Sequence, residues 1–268
     1  MKNSGWTRLC LGLLGAAQLA LVSAAVHAVD LQWYGQAAFK ITSESGKVIL
    51  IDPFISKNPK TPEELKDLSK IGNVDLILVT HGHGDHVGDT VELAKMTGAK
   101  VAMNADMGHT FGTLGLIPYD QLIRFNKSGP IKPLGDGITI TMVPAEHSSE
   151  FLHNKTLYPG GEPCGYIVEF ENGWTLYHAG DTGVFTEMQF IKDYYDPDLA
   201  LLPIGGHFTM DPAHAAYAVK KYLNSKAVIP IHYGTFPPLK GTPEQLKAAL
   251  GSHPAKLIVM NPGDSMKF

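Results

Sequence analysis

Cysteine is nearly absent from this chain: its 268 residues include two, Cys10 and Cys164. Cys10 falls in a segment that reads as a leader, so the exported protein would keep Cys164 alone and form no intrachain disulfide. Its stability must then come from packing. Basic residues are sparse as well, 22 against 26 acids and without a cluster, for a formal net charge of −4. That balance makes nonspecific nucleic-acid binding a poor fit. A recognisable serine or cysteine nucleophile motif is also missing, which leaves covalent catalysis without a candidate.

The one long apolar run lies at the start. Lys2 and Arg8 precede Leu9 to Val26, and Val26-His27-Ala28 offers small residues where a signal peptidase reads. The expectation is a signal peptide over residues 1–28 and a single mature domain over 29–268. Its location would be periplasmic or secreted, with no stable membrane association after cleavage. An uncleaved anchor is the rival reading, because the run is long enough to span a bilayer.

What the chain does have is histidine in one crowded turn. Thr80 to Asp89 reads Thr-His-Gly-His-Gly-Asp-His-Val-Gly-Asp, placing His81, His83, Asp85 and His86 within six positions. The apolar run Val74 to Val79 precedes it and a helical pattern, Thr90 to Met96, follows. A buried strand feeding a helix through a glycine-punctuated turn is where α/β proteins keep their chemistry. Imidazoles with a carboxylate suit zinc, manganese or iron. An expression tag or a solvated loop fits poorly, because the run is internal and caps a hydrophobic strand.

Farther along, histidine and aspartate recur at strand ends: His147 after Ile138 to Val143, Asp181 after the hairpin Gly165 to Tyr177, and His232 after Ala227 to Ile231. The two halves of the chain also echo one another. Each has a hairpin running into an aspartate (Asp52, Asp181), then a strand leading to a histidine-containing turn and a helix, then a further strand. This order predicts a duplicated α/β architecture, with two sheets face to face inside and helices outside. The segments Asp106 to Leu116, Ser148 to Pro163 and Phe208 to Met210 are expected to be pocket-lining loops. Ser56 to Lys70 reads as a surface excursion with a helical piece, or as a flap.

His-x-His-x-Asp-His, the distant His147, Asp181 in Gly-Asp-Thr-Gly and His232 after a strand together resemble the metallo-β-lactamase superfamily. Within it the chain resembles the UPF0173-type metal-dependent hydrolases, related to the ascorbate-phosphate lactonase branch. The supporting phrases include His178-Ala-Gly-Asp-Thr-Gly183, Leu202-Pro-Ile-Gly-Gly-His-Phe-Thr-Met210 and Ile229-Pro-Ile-His-Tyr-Gly-Thr-Phe-Pro237. The resemblance implies an αββα sandwich of two mixed β-sheets with a binuclear site at one edge. His81, His83 and His147 would hold one metal, Asp85, His86 and His232 the other, with Asp181 bridging. Zinc comes first, with Mn2+ or Fe2+ as the other candidates. A bridging carboxylate departs from the β-lactamases themselves and argues against β-lactam hydrolysis.

The implied chemistry is attack by a metal-bridging hydroxide on an ester, lactone, thioester or phosphodiester of a small-molecule substrate. Asp85 would double as the acceptor of a hydrogen bond from the attacking water. His207, after the Leu199 to Ile204 strand, is the candidate proton donor to the leaving group. His178 is expected to support Asp181 from behind. His109, His153, His214 and His253 read as surface or loop residues, His109 being the one nearest to a pocket role, and Cys164 as a small core residue. Two alternatives stay open: an iron-dependent, persulfide-dioxygenase-like oxidoreductase on the same fold, and a metal-binding protein without turnover.

Overall fold

In the strand Val48-Ile49-Leu50-Ile51 all four side chains are buried, Ile49 and Ile51 towards one apolar cluster and Val48 and Leu50 towards another. A strand buried on both faces lies between two layers, which is why its sequence runs apolar without alternation. The computed structural model describes residues 28–268 and builds that arrangement twice. The leader expected over residues 1–28 lies outside the described residues, Ala28 excepted.

The first half supplies β1 (Asp30–Gly35), β2 (Ala38–Thr42), β3 (Val48–Ile51), β4 (Leu76–Leu78), β5 (Lys100–Asn104) and β6 (Leu122–Phe125). The second supplies β7 (Thr139–Pro144), the hairpin β8 (Glu150–His153) and β9 (Thr156–Pro159), then β10 (Cys164–Glu169), β11 (Thr175–His178), β12 (Leu199–Pro203), β13 (Ala227–Ile231) and β14 (Lys256–Leu257). A last strand, β15 (Ser265–Lys267), returns to pair with β1. One sheet has the order β15-β1-β2-β3-β4-β5-β6 and the other β14-β13-β12-β11-β10-β7. In both, antiparallel pairs lead into a parallel run, β3 to β6 in the first and β11 to β14 in the second. The repetition read from the sequence is therefore a repetition of topology.

The inner faces meet in one core: Phe39, Ile49, Leu76 and Ala102 from the first sheet, Tyr166, Leu176, Leu201 and Ile229 from the second. Helices cover the outer faces. They are α1 (Gly84–Val87), α2 (Thr90–Thr97), α3 (Ala105–Thr113), α4 (Met188–Phe190), α5 (Pro212–Ala218) and α6 (Pro243–Leu250), with α4 and α5 each continued by a wider five-residue turn. Leu93, Met107 and Phe111 pack on the first sheet, and Ala215, Val219 and Leu246 on the second. This is the αββα sandwich. Among the described residues no helix is long and apolar enough to cross a membrane.

Two stretches differ from expectation. Asp106 to Leu116 is mostly helix α3: Asn104 caps it by accepting from the Met107 backbone N–H, and burial of Met107 and Phe111 outweighs its helix-poor glycines and threonines. Ser148 to Pro163 contains the β8–β9 hairpin, anchored by Phe151 packing against Phe111, ring centroids 4.5 Å apart. Ser56 to Lys70 is a pinned excursion with two short helical turns, held where Thr61 donates to the Tyr34 carbonyl and Asn58 to that of Phe54.

Candidate metal centre

Parallel strands put their carboxyl ends at one edge, and β7 runs in the same direction as β11 because each is antiparallel to β10. The residues just after β4, β7, β11 and β13 therefore collect along one rim. The turn between β1 and β2 reaches the same rim, since β2 runs opposite to β3. All seven candidate donors meet there, within three groups: His81, His83 and His147; Asp85, His86 and His232; and His81, His86 and Asp181, which draws on both sides.

In the first group His81 Nε2 lies 2.9 Å from His83 Nδ1, and His147 Nε2 lies 3.3 Å from the same atom. Ligands on a tetrahedral zinc, with Zn–N of about 2.0–2.1 Å, stand about 3.3 Å apart. Asp181 sits between the groups. Its Oδ1 is 3.3 Å from His86 Nε2, and its Oδ2 is 3.0 Å from His232 Nε2 and 3.6 Å from His147 Nε2. Asp85 Oδ2 faces His232 Nε2 at 3.5 Å.

Buried polar atoms without a hydrogen-bond partner include His86 Nε2, Asp181 Oδ1 and both nitrogens of His232. Leaving such groups unpaired is costly, and a cation would satisfy several at once. The donor set fits a borderline divalent metal.

Electrostatics divide the two groups. Burial pushes His81 well below the usual histidine range, and it lowers His83 and His147 as well, helped by the neighbouring imidazoles. The neutral ring is the ligating form. At His86 burial also opposes charge, but Asp181, Asp52 and Asp85 outweigh it and hold the ring well above the usual range. His232 is likewise drawn up, to about 9, by Asp181 and Asp85 against its burial. Asp85 and Asp181 are both lowered: burial works against their ionisation, and the facing His86 and His232 prevail.

Three supporting residues carried no metal motif and went unassigned in the sequence. Asp52, fully buried after β3, accepts from the Thr80 backbone N–H at 2.8 Å and from the Thr80 hydroxyl at 2.7 Å; it also bonds His86 Nδ1 at 2.7 Å. That bond puts the His86 proton on Nδ1 and frees Nε2. The Thr80 hydroxyl, having donated to Asp52, accepts from His81 Nδ1 at 3.0 Å, which frees His81 Nε2. One carboxylate thus sets two tautomers. Gln36, in the β1–β2 turn, donates from Nε2 to Asp85 Oδ2 at 2.8 Å, while its carbonyl accepts from the His232 backbone N–H. Asp89 accepts from the backbone of Ile55 and Ser56 and ties the segment after Asp52 to the metal turn.

His178 donates to the Ala37 carbonyl and accepts from the Gly180 N–H, bracing the turn that carries Asp181. In that turn Gly180 has φ +61°, and a Cβ there would lie 2.7 Å from the Cys164 carbonyl oxygen. Gln36, Asp52, His207 and His232 also adopt positive φ without being glycine, the kind of strain that gathers at functional sites. The aspartate signal of the two echoing hairpins could have singled out Asp52; nothing in the sequence marked Gln36.

A cavity of about 580 Å³ opens onto His83, Asp85, His147, Asp181 and His232. Phe208 lines it, as do Ser148 and Glu150, but no residue of Asp106 to Leu116 does. His109 instead contacts Arg124 at the surface. His207 is not among the residues lining this cavity: it is exposed, has a positive φ, and lines a neighbouring cavity with Asp211 and Lys240, while Phe208 lines the metal side.

Comparison with known proteins gives the family. Residues 47–233 match the beta-lactamase superfamily domain. A UPF0173 metal-dependent hydrolase of Polaromonas sp. strain JS666 is 46% identical over 97% of this chain and 98% of its own length. Another, from Cupriavidus necator, is 50% identical over 89% of this chain and 86% of its own. The solved structure of Igni18, a metallo hydrolase from the archaeon Ignicoccus hospitalis, has a TM-score of 0.79 at 40% identity, covering 90% of this chain and 98% of that one. On sequence, fold and site together, the chain belongs to the UPF0173 metal-dependent hydrolases of the metallo-β-lactamase superfamily.

Proposed function

We propose that the protein binds two divalent ions, zinc first, and hydrolyses an ester, lactone, thioester or phosphodiester bond in a small-molecule substrate. The observation that carries the reading is the convergence of two three-donor groups on Asp181, beside a cavity open to substrate. His81, His83 and His147 would hold one ion and Asp85, His86 and His232 the other. A divalent pair supplies a water acidified towards neutrality and a Lewis acid for the scissile carbonyl.

The chain's own residues do the rest. Asp52 fixes the lone pairs of His81 and His86 towards the site. Gln36 orients Asp85, whose carboxylate accepts the water's hydrogen bond. With His207 outside the cavity, Asp85 would also take up the water's proton as the new bond forms and deliver it to the leaving atom as the scissile bond breaks.

Export through a leader ending at Ala28 belongs to the same proposal. In its support, Val29 is buried and exchanges both backbone hydrogen bonds with Phe268, so the first residue after the expected cut already belongs to the fold. The test is elemental analysis of the purified mature protein, paired with turnover of a neutral aryl ester and a lactone with and without chelator. Two equivalents of metal and chelator-sensitive cleavage are expected. A single equivalent of iron with no hydrolysis would overturn the reading in favour of redox chemistry.

A further inference from the structure

The cavity beside the candidate ligands has two chemically different sides. One consists of imidazoles and carboxylates. The other is apolar: Phe54, Phe208, Phe236 and Leu239, brought in by the loops after β3, β12 and β13. Among the described residues that line it there is no lysine or arginine, and Glu150 adds a carboxylate to those of Asp85 and Asp181. Lys240 lines the neighbouring cavity with His207.

Two of the aromatic rings are left open to solvent, Phe208 at 57% and Phe236 at 36% exposure. Phe236 leans over Phe54 with ring centroids 6.4 Å apart. Phe54 is itself held in place: Asn58 donates to its carbonyl, and Asp89 fixes the residues that follow it. Beyond the mouth, Leu152 and Leu157 face each other across the β8–β9 hairpin, on the strand face that Glu150 shares, and are 64% and 62% exposed.

Away from the candidate ligands, an anionic group on the non-reacting part of a substrate would meet four apolar side chains and the Glu150 carboxylate, with no lysine or arginine to pair with. An apolar group would cover rings that water now touches. We infer that the cavity selects substrates whose non-reacting portion is uncharged and apolar, an alkyl or aryl group carried by the ester or lactone. The inference rests on the hydrolase reading for the word substrate, but its binding half stands apart.

Two experiments separate them. Calorimetric titration of the metal-loaded protein with n-alkanols from butanol to octanol reads the apolar wall without turnover. Affinity is expected to rise by about fourfold per methylene, and Phe208→Ser with Phe236→Ser should flatten that slope. In parallel, kcat/KM is measured for alkyl esters of increasing length and for esters of the same length ending in a carboxylate or phosphate. Preference for the longer neutral esters is expected. Cleavage indifferent to length, or faster with the distal anion, overturns the inference and leaves the hydrolase intact. A clear alkanol gradient with no ester cleaved does the reverse.

Discussion

The two donor groups of the site are built from similar side chains yet sit in different fields. His81, His83 and His147 are three imidazoles packed together, held neutral by burial and by one another. His86 and His232 face Asp52, Asp85 and Asp181, and are drawn towards the charged form. The first group offers lone pairs ready for a cation but little negative charge of its own. The second offers charge, and in a metal-free protein protons compete for it. Asp181 reaches both, through Oδ1 to His86 and Oδ2 to His147 and His232. The site is therefore asymmetric by electrostatics, with Asp181 in contact with both sides.

Removing that side chain should erase the comparison. Asp181→Ala leaves His86 and His232 without their main charge partner, and breaking a buried pair costs about 3–5 kcal/mol. Metal content should fall for both groups and turnover should be lost, by more than the roughly 10–100-fold typical of a residue that merely orients a ligand. Elemental analysis beside single-turnover kinetics reads both. Retention of two ions with near-normal turnover would contradict a bridging role.

The next effect uses pH to set the groups apart. A histidine whose folded pKa is raised contributes stability in full below its unfolded pKa of about 6.5 and loses it as pH climbs through the folded value. His232 rises to about 9 and His86 also rises. Chelated protein should therefore lose stability between about pH 6.5 and 9, by on the order of 3 kcal/mol for His232. Metal-loaded protein has no such protons to lose. The gap between the melting temperatures of loaded and chelated protein should widen with pH over that window. A constant gap would mean the carboxylates do not charge the second group.

Much of this was legible in the sequence, for reasons particular residues make plain. His81 to His86 are contiguous, and local order needs no topology to be seen. His147, Asp181 and His232 are far apart but share a position, the end of a strand, and the two sheets carry those ends to one rim. For His207 the same rule located a loop but not the direction of a side chain. His207 lines the neighbouring cavity, and Phe208, the next residue, lines the one beside the candidate ligands. Gln36 stayed invisible for a different reason: it reaches Asp85 only because the β1–β2 turn lies across the rim, a contact between residues 49 apart. Helix α3 was hidden by its own composition, since packing of Met107 and Phe111 overrides local propensity.

Asp52 tests how the two groups are coupled from behind. It takes the N–H of Thr80, the hydroxyl of Thr80 and the Nδ1 proton of His86. Asp52→Asn keeps the shape but turns one acceptor into a donor, which must then oppose one of those donors. His86 is bonded directly and His81 only through Thr80, so the second group should suffer first. Metal affinity at that group is expected to fall by roughly 10–100-fold, read by chelator competition, with the first ion retained longer. Equal loss from both groups would place the effect on folding rather than on tautomers.

Gln36 gives the smallest effect and the sharpest locality. Its side chain touches Asp85, whereas its carbonyl holds the His232 backbone and the Trp33 indole, and substitution spares that carbonyl. Gln36→Leu should therefore leave the fold and His232 in place and remove one bond to a charged acceptor. Such a bond contributes about 1.5 kcal/mol at the low end, or roughly tenfold. If Asp85 steers the attacking water, the loss should appear in kcat with KM and metal content little changed. If Asp85 is a ligand and nothing more, the loss should appear instead as weaker retention of the second ion. Measuring both on one variant separates the two duties assigned to a single carboxylate.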